Sequence, residues 1–106
     1  MSLQKKINDN LKFIKDKLPS SCSLIAVSKY VDTEEIIAAY ESGQRDFGEN
    51  RVSDLQRKSS ELKKLCPEIR WHMIGNLQSK KIKSLLNVEN LYAVHSIYDK
   101  KHLDLF

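Results

Sequence analysis

The 106-residue sequence predicts an α/β fold of parallel (β/α) repeats preceded by an N-terminal helix. Four short apolar segments each end in a polar or small residue, at positions 29, 50, 75 and 96. This spacing suits a strand, a loop, a helix and a second loop, repeated along the chain. A helical segment follows each strand, and parallel pairing needs such a crossover.

The first predicted element is an amphipathic helix. Residues at helical spacing form one apolar stripe: Leu3, Ile7, Leu11, Ile14 and Leu18. Pro19 ends this segment. We expect the stripe to pack against the outside of the sheet or against a partner chain.

The remaining elements follow in alternation. The first strand lies within Leu24 to Lys29, and Asp32 begins a helix that ends at Ser42-Gly43. The later elements are a strand from Asp46 to Glu49, a helix from about Val52 to Leu65, a strand within Trp71 to Gly75, a helix from Gln78 to Leu86 that ends at Asn87, a strand running into Ser96, and a helix that begins at Asp99.

Two arrangements of these repeats fit the pattern. Parallel strands with helices outside close into a barrel or remain an open doubly wound sheet, and the pattern alone does not choose between them. No glycine-rich turn follows the first strand, which argues against a nucleotide-binding doubly wound fold. Four units would make about half of an eight-stranded TIM-type barrel.

Composition narrows the class of protein. The length allows one domain at most, and the net charge is +4. Because the lysines lie beside acids on the predicted helices, a solvated surface is favoured over a nucleic-acid interface. The densest cluster (Lys80, Lys81, Lys83) could meet phosphate but is ordinary helix-surface composition. We expect no metal site, no membrane span, and reduced thiols at Cys22 and Cys66 in a cytoplasmic protein.

Four residues at strand ends could carry chemistry. Lys29 at the end of a buried strand can lose water contact, which frees its amine to attack a carbonyl; alternatively its side chain simply extends to solvent. Asn50 can donate to and accept from a ligand, or can cap a helix. His95 and Ser96 offer an imidazole and a hydroxyl, although structural roles are the more common fate of such residues. None of the four is decisive alone.

In combination these segments resemble the YggS/PROSC family of pyridoxal-phosphate homeostasis proteins. The matching motifs are Ala26-Val27-Ser28-Lys29, Phe47-Gly48-Glu49-Asn50-Arg51-Val52, Trp71-His72-Met73-Ile74-Gly75-Asn76-Leu77-Gln78 and His95-Ser96-Ile97. The resemblance implies a barrel like the amino-terminal domain of alanine racemase. It also implies pyridoxal 5′-phosphate held by Lys29 as an internal aldimine, with Asn50, His95 and Ser96 lining the pocket. No catalytic turnover and no catalytic residue are expected.

Length separates this chain from that family, whose members are about twice as long and grip the cofactor phosphate with later strands. We therefore expect residues 1–106 to form a partial pyridoxal-phosphate-binding barrel, truncated after about four βα units. Self-association or a separate chain would have to complete it. A truncated remnant, with lost or only interaction function, is the alternative. A racemase-like enzyme is a further one, but it needs a second acid/base residue that is not identifiable here.

Overall fold

The computed structural model describes residues 3–29, 31–75 and 79–95, and these form a parallel α/β fold. The elements, in order, are α1 (Leu3–Lys17), β1 (Ala26–Val27), α2 (Thr33–Glu41), β2 (Asp46–Glu49), α3 (Val52–Leu62), β3 (Arg70–Met73), α4 (Ile82–Leu86, after a 3₁₀ turn at Ser79–Lys81) and β4 (Leu91–Val94). The strands form one sheet in the order β1-β2-β3-β4, and every pair is parallel. The predicted fold class is confirmed.

The hydrophobic core lies between one face of the sheet and the helices. Phe47, Trp71 and Met73 from the strands are buried there against side chains such as Leu55 of α3 and Leu85 of α4. Right-handed crossovers place successive helices on the same side of a parallel sheet, which explains why one face is covered.

The opposite face of the sheet is called the open face below. Because successive side chains alternate across a strand, it carries the residues that flank the core positions: Val27, Asp46, Gly48, Arg70, His72 and Tyr92. Val27 is 54% exposed and Tyr92 is 65% exposed. In a closed barrel this face would be the interior.

Helix α1 uses only part of its apolar stripe. Ile7 and Leu11 are partly buried against the core, whereas Leu3 and Ile14 are exposed. The helix lies along α2 rather than across the sheet, and Gln4 Nε2 donates a hydrogen bond of 2.6 Å to Ser42 Oγ.

The ends of the other helices lie near the predicted positions, and helix α3 is shorter than predicted. Helix α2 ends at Glu41 with Ser42 as its C-cap, and Gly43 follows with a φ of +106°, which suits glycine just after a helix. Helix α3 ends at Leu62 instead of Leu65. Helix α4 ends at Leu86 with Asn87 as its C-cap, as predicted, and the predicted start at Gln78 lies outside the described residues. The helix predicted from Asp99 lies outside the described residues.

Candidate functional site

Lys29 lies two residues after β1, at the carboxyl end of the sheet. The Ser28 amide donates to the Gly48 carbonyl at 3.0 Å and so extends the pairing of β1 with β2 by one residue. Lys29 itself is exposed. Of the two alternatives for this side chain, loss of water contact or extension to solvent, the structure matches the second.

Asn50 lies on the neighbouring strand end. Val27 of β1 pairs with Gly48 of β2. Lys29 and Asn50 each lie two residues after this pair, so they occupy matching positions at the ends of strands about 4.8 Å apart. The Oδ1 atom of Asn50 is buried and has no hydrogen-bond partner within the described residues. Arg51, not Asn50, occupies the N-cap position of α3, so the alternative of a helix cap is not supported.

Gly75 fixes the position of Asn50 through close backbone contact. A Cβ built on Gly75 would lie 2.2 Å from Asn50 Cβ and 2.4 Å from its carbonyl oxygen. The end of β3 therefore packs directly on the segment that follows β2. Gly48 has a different role, because a Cβ there would meet Ile74 Cδ1 at 2.9 Å. The space above Gly48 is filled by a neighbouring side chain.

His95 lies at the opposite edge of the sheet from Lys29. Its amide donates to the Met73 carbonyl at 2.9 Å, which continues the pairing of β4 with β3. Three strand spacings separate β1 from β4, or about 14 Å along a flat sheet. The structure therefore brings Lys29 and Asn50 together and places His95 further away. Ser96 lies outside the described residues.

A polar network on the open face connects His95 to the start of the strands. Arg70 Nε and Nη2 donate to the two carboxylate oxygens of Asp46, both at 2.8 Å. His72 Nε2 lies 2.9 Å from Asp46 Oδ1, and its Nδ1 lies 2.9 Å from His95 Nε2. Because a carboxylate only accepts, Nε2 of His72 carries the proton in the contact with Asp46.

This network makes Asp46 a strong acid. The hydrogen bonds from the Arg70 guanidinium lower the pKa of Asp46 from 3.8 to about 2, and those from His72 add to the effect, against the opposing effect of burial. Sequence reasoning named His72 within a family motif. It missed Asp46, because residues more than 20 positions apart give no local signal of contact.

Asp46→Asn is expected to lower the free energy of unfolding at pH 7 by at most about 2 kcal/mol, less at high salt because Arg70 is half exposed. Because the pKa of Asp46 is lower in the folded state than in the unfolded state, its carboxylate stabilises the fold fully above pH 3.8, the unfolded value. This contribution is lost as the pH falls toward 2, the folded value. Urea denaturation from pH 6 to pH 2 should therefore show a flatter profile in the variant. Asp54→Asn, which removes a 3.9 Å contact to exposed Arg57, is the control and should retain the slope. Equal slopes in wild type and Asp46→Asn would contradict the prediction.

A second polar cluster is fully buried under the end of β1. Lys58 of α3 donates from Nζ to Glu49 Oε2 at 2.8 Å and to the Ser28 carbonyl at 2.5 Å. The Ser28 hydroxyl also donates to Glu49 Oε2. Glu49, Lys58 and Ser28 are 0%, 1% and 2% exposed. Sequence reasoning missed this cluster, because α3 carries several charges and nothing local marks Lys58 as the buried one.

The sequence also led to expectations about metal ligands, membrane spans and the two cysteines. Within the described residues no group of three His, Cys, Asp or Glu side chains could hold a metal ion. Among those same residues no helix is long and apolar enough to cross a membrane. Cys22 is exposed and Cys66 is buried, where desolvation raises the pKa of its thiol. Both cysteines precede strands, at the end of the sheet away from Lys29.

The arrangement suits a ligand with a carbonyl group and a hydrogen-bond donor. The primary amine of Lys29 can form a covalent bond to an aldehyde. The buried Oδ1 of Asn50, on the next strand end, lacks a donor among the described residues. A bound molecule that supplied a hydroxyl or N–H there would satisfy it.

Comparison with known proteins finds pyridoxal phosphate homeostasis proteins among the relatives of this chain. No family model matches the chain. It is 38% identical over 109 residues to the pyridoxal phosphate homeostasis protein of Caenorhabditis elegans, an alignment that covers 98% of this chain and 45% of the relative. The human protein of the same name is 45% identical over 83 residues, which cover 76% of this chain and 30% of that protein.

A solved structure agrees with these sequence matches. PipY of Synechococcus elongatus, with PLP bound, superposes with a TM-score of 0.85 at 39% identity, over 93% of this chain and 45% of PipY. The chain thus spans less than half the length of these relatives, as expected for about half of a TIM-type barrel. Its fold, its motifs and its relatives agree: over nearly its whole length the chain is similar to the pyridoxal phosphate homeostasis proteins.

Proposed function

We propose that this chain binds pyridoxal 5′-phosphate through Lys29 and serves in intracellular cofactor homeostasis without catalytic turnover. The observation that carries the proposal is the juxtaposition of an exposed lysine at the end of β1 with the buried, unpartnered Oδ1 of Asn50 at the end of β2. The presence of PLP in the similar PipY structure supports the choice of ligand.

The covalent step needs only groups that the proposal names. The unprotonated Nζ of Lys29 adds to the aldehyde carbon of the cofactor, and the aldehyde oxygen leaves as water while a C=N bond forms. The cofactor contributes an electrophilic aldehyde and a polar ring. The protein contributes the amine, the acceptor at Asn50 and a fixed spacing between them.

The remaining site residues are proposed with smaller roles. Asn50 Oδ1 would accept a hydrogen bond from the cofactor, which would satisfy this buried atom. His95, whose ring is hydrogen-bonded to His72, and Ser96 would line the far side of the pocket. On this view residues 1–106 supply part of a cofactor-binding barrel domain.

The proposal is tested by titrating the purified chain with pyridoxal 5′-phosphate. We expect a saturable absorbance band at about 420 nm, typical of a protonated imine, that is lost in Lys29→Ala and Lys29→Arg. Borohydride reduction followed by peptide mass spectrometry should place the label on Lys29. Lys80→Ala, at another exposed lysine, is the matched control and should bind as wild type.

Equal and non-saturating labelling of wild type and Lys29→Ala would overturn the proposal, since only scattered surface lysines would then react. That outcome would favour a truncated remnant with at most an interaction role. Turnover of amino acids by the loaded protein would instead favour a racemase-like enzyme. Size-exclusion chromatography with and without cofactor would show whether binding requires self-association.

A further inference from the structure

We propose that the buried Glu49–Lys58 ion pair is a positioning device for Lys29, acting through the backbone of Ser28. The pair would set the direction in which the Lys29 side chain leaves the sheet and so the rate at which its amine captures an aldehyde. This inference rests on the proposed function, because it assigns a role to residues that lie beneath the proposed site.

Hydrogen bonds from two neighbouring elements converge on Ser28. Its hydroxyl donates to Glu49 of β2, and its carbonyl accepts from Lys58 of α3 at 2.5 Å. Its amide donates to the Gly48 carbonyl at 3.0 Å. All the hydrogen-bonding groups of this one residue, immediately before Lys29, therefore have defined partners.

The contact with the Ser28 carbonyl matters because a peptide unit is planar. The Ser28 carbonyl oxygen lies in the same rigid plane as the amide nitrogen and Cα of Lys29. Lys58 Nζ therefore restricts the orientation of the plane that carries Lys29 Cα. The same carbonyl accepts from the Val31 amide at 3.2 Å, which closes the turn after Lys29.

Stability alone does not explain a buried ion pair at this position. Replacing such a pair by apolar side chains of similar volume is often neutral or stabilising, because desolvation offsets the Coulomb attraction. Glu49 Oε1 is also buried and has no hydrogen-bond partner in the described parts of the chain, a further cost. The geometric constraint on Ser28 is what the pair adds and an apolar pair would lack.

The same contacts distinguish the two lysines at this end of the sheet. The Lys58 ammonium donates to a carboxylate and a carbonyl on the core side, where it is 1% exposed. An amine that is enclosed and held by these hydrogen bonds is not available to attack an aldehyde. Lys29 is exposed and is the lysine that remains accessible to a cofactor.

The test replaces both members of the pair, so that no unpaired charge is left in the core. In Glu49→Leu/Lys58→Met we expect the chain to remain folded and the rate of imine formation with pyridoxal 5′-phosphate to fall between about 10- and 100-fold. The affinity for pyridoxine 5′-phosphate, which lacks the aldehyde, should change less than about 3-fold, because its binding does not depend on the direction of Lys29.

The matched control is the exposed ion pair between Lys63 and Glu89, which has the same N–O distance of 2.8 Å. Lys63→Met/Glu89→Leu should leave both the rate and the affinity unchanged. If the buried double variant does not fold, Ser28→Ala serves in its place. It removes the hydroxyl contacts to Glu49 and to the Gly48 carbonyl and leaves Lys58 in place, and we expect a rate loss of about 3- to 10-fold.

The outcomes separate this inference from the proposed function. An unchanged imine rate in the buried double variant, or in Ser28→Ala where that variant is used, overturns the positioning role while leaving Lys29 as the cofactor lysine. Equal losses of imine rate and of affinity for pyridoxine 5′-phosphate overturn it as well, because they indicate general damage to the pocket. A wild-type chain without saturable imine formation overturns the proposed function itself and this inference with it.

Discussion

Gly75→Ala is expected to lower the free energy of unfolding by about 3 kcal/mol and to weaken binding of pyridoxal 5′-phosphate. The added Cβ would lie 2.4 Å from the Asn50 carbonyl oxygen and 2.6 Å from its Cα, and backbone atoms cannot rotate away as a side chain can. The segment after β2 must therefore move. Urea denaturation measures the loss of stability, and the 420 nm titration measures the effect on the site.

Gly43→Ala is the control for this prediction. Nothing lies within 4 Å of a Cβ at Gly43, and its cost arises only from a φ of +106°, worth roughly 1–2 kcal/mol. Gly43 lies between α2 and β2, at the opposite end of β2 from Asn50, so cofactor binding should be unaffected. If Gly75→Ala were as stable as wild type, the close approach of the ends of β2 and β3 would be wrong.

Trp71→Ala is expected to lower the free energy of unfolding by about 3–5 kcal/mol. Trp71 is 0% exposed and packs against Phe47 on the adjacent strand, with ring centroids 6.1 Å apart. It joins the sheet to the helices at the centre of the core, so truncation would leave a large cavity. Thermal and urea denaturation would measure the loss.

Trp71→Phe should cost much less, under about 1.5 kcal/mol. The indole Nε1 is buried and has no acceptor within the residues that the structure describes, so phenylalanine removes a donor whose hydrogen bond is not made. This gain offsets part of the lost volume. A loss in Trp71→Phe as large as in Trp71→Ala would contradict the prediction, since it would show that the indole N–H contributes a hydrogen bond.

The strand ends were predictable from the sequence because each is marked locally. A short apolar run followed by Lys29, or by Asn50, identifies a buried strand that reaches the surface. The step of 21 to 25 residues then requires parallel pairing, and parallel pairing brings consecutive strand ends to one edge of the sheet. The adjacency of Lys29 and Asn50 follows from these rules.

Other features depend on tertiary contacts that no local pattern records. Lys58 lies on a helix next to Arg57, and only the packing of α3 against the sheet decides which of the two is buried. The network through Asp46, His72 and His95 likewise joins three strands. The stripe of α1 predicted a buried helix, but spacing alone does not say how much of it another element covers.

The order of the strands has a consequence for how the chain folds during synthesis. Each described strand after β1 pairs with the one made just before it, so Ala26 meets Phe47 only 21 positions later. Ribosomes add about 5–20 residues per second, whereas hairpins and helices form within microseconds. The sheet can therefore grow one strand at a time as the chain emerges, and Lys29 and Asn50 can come together before β4 has been made.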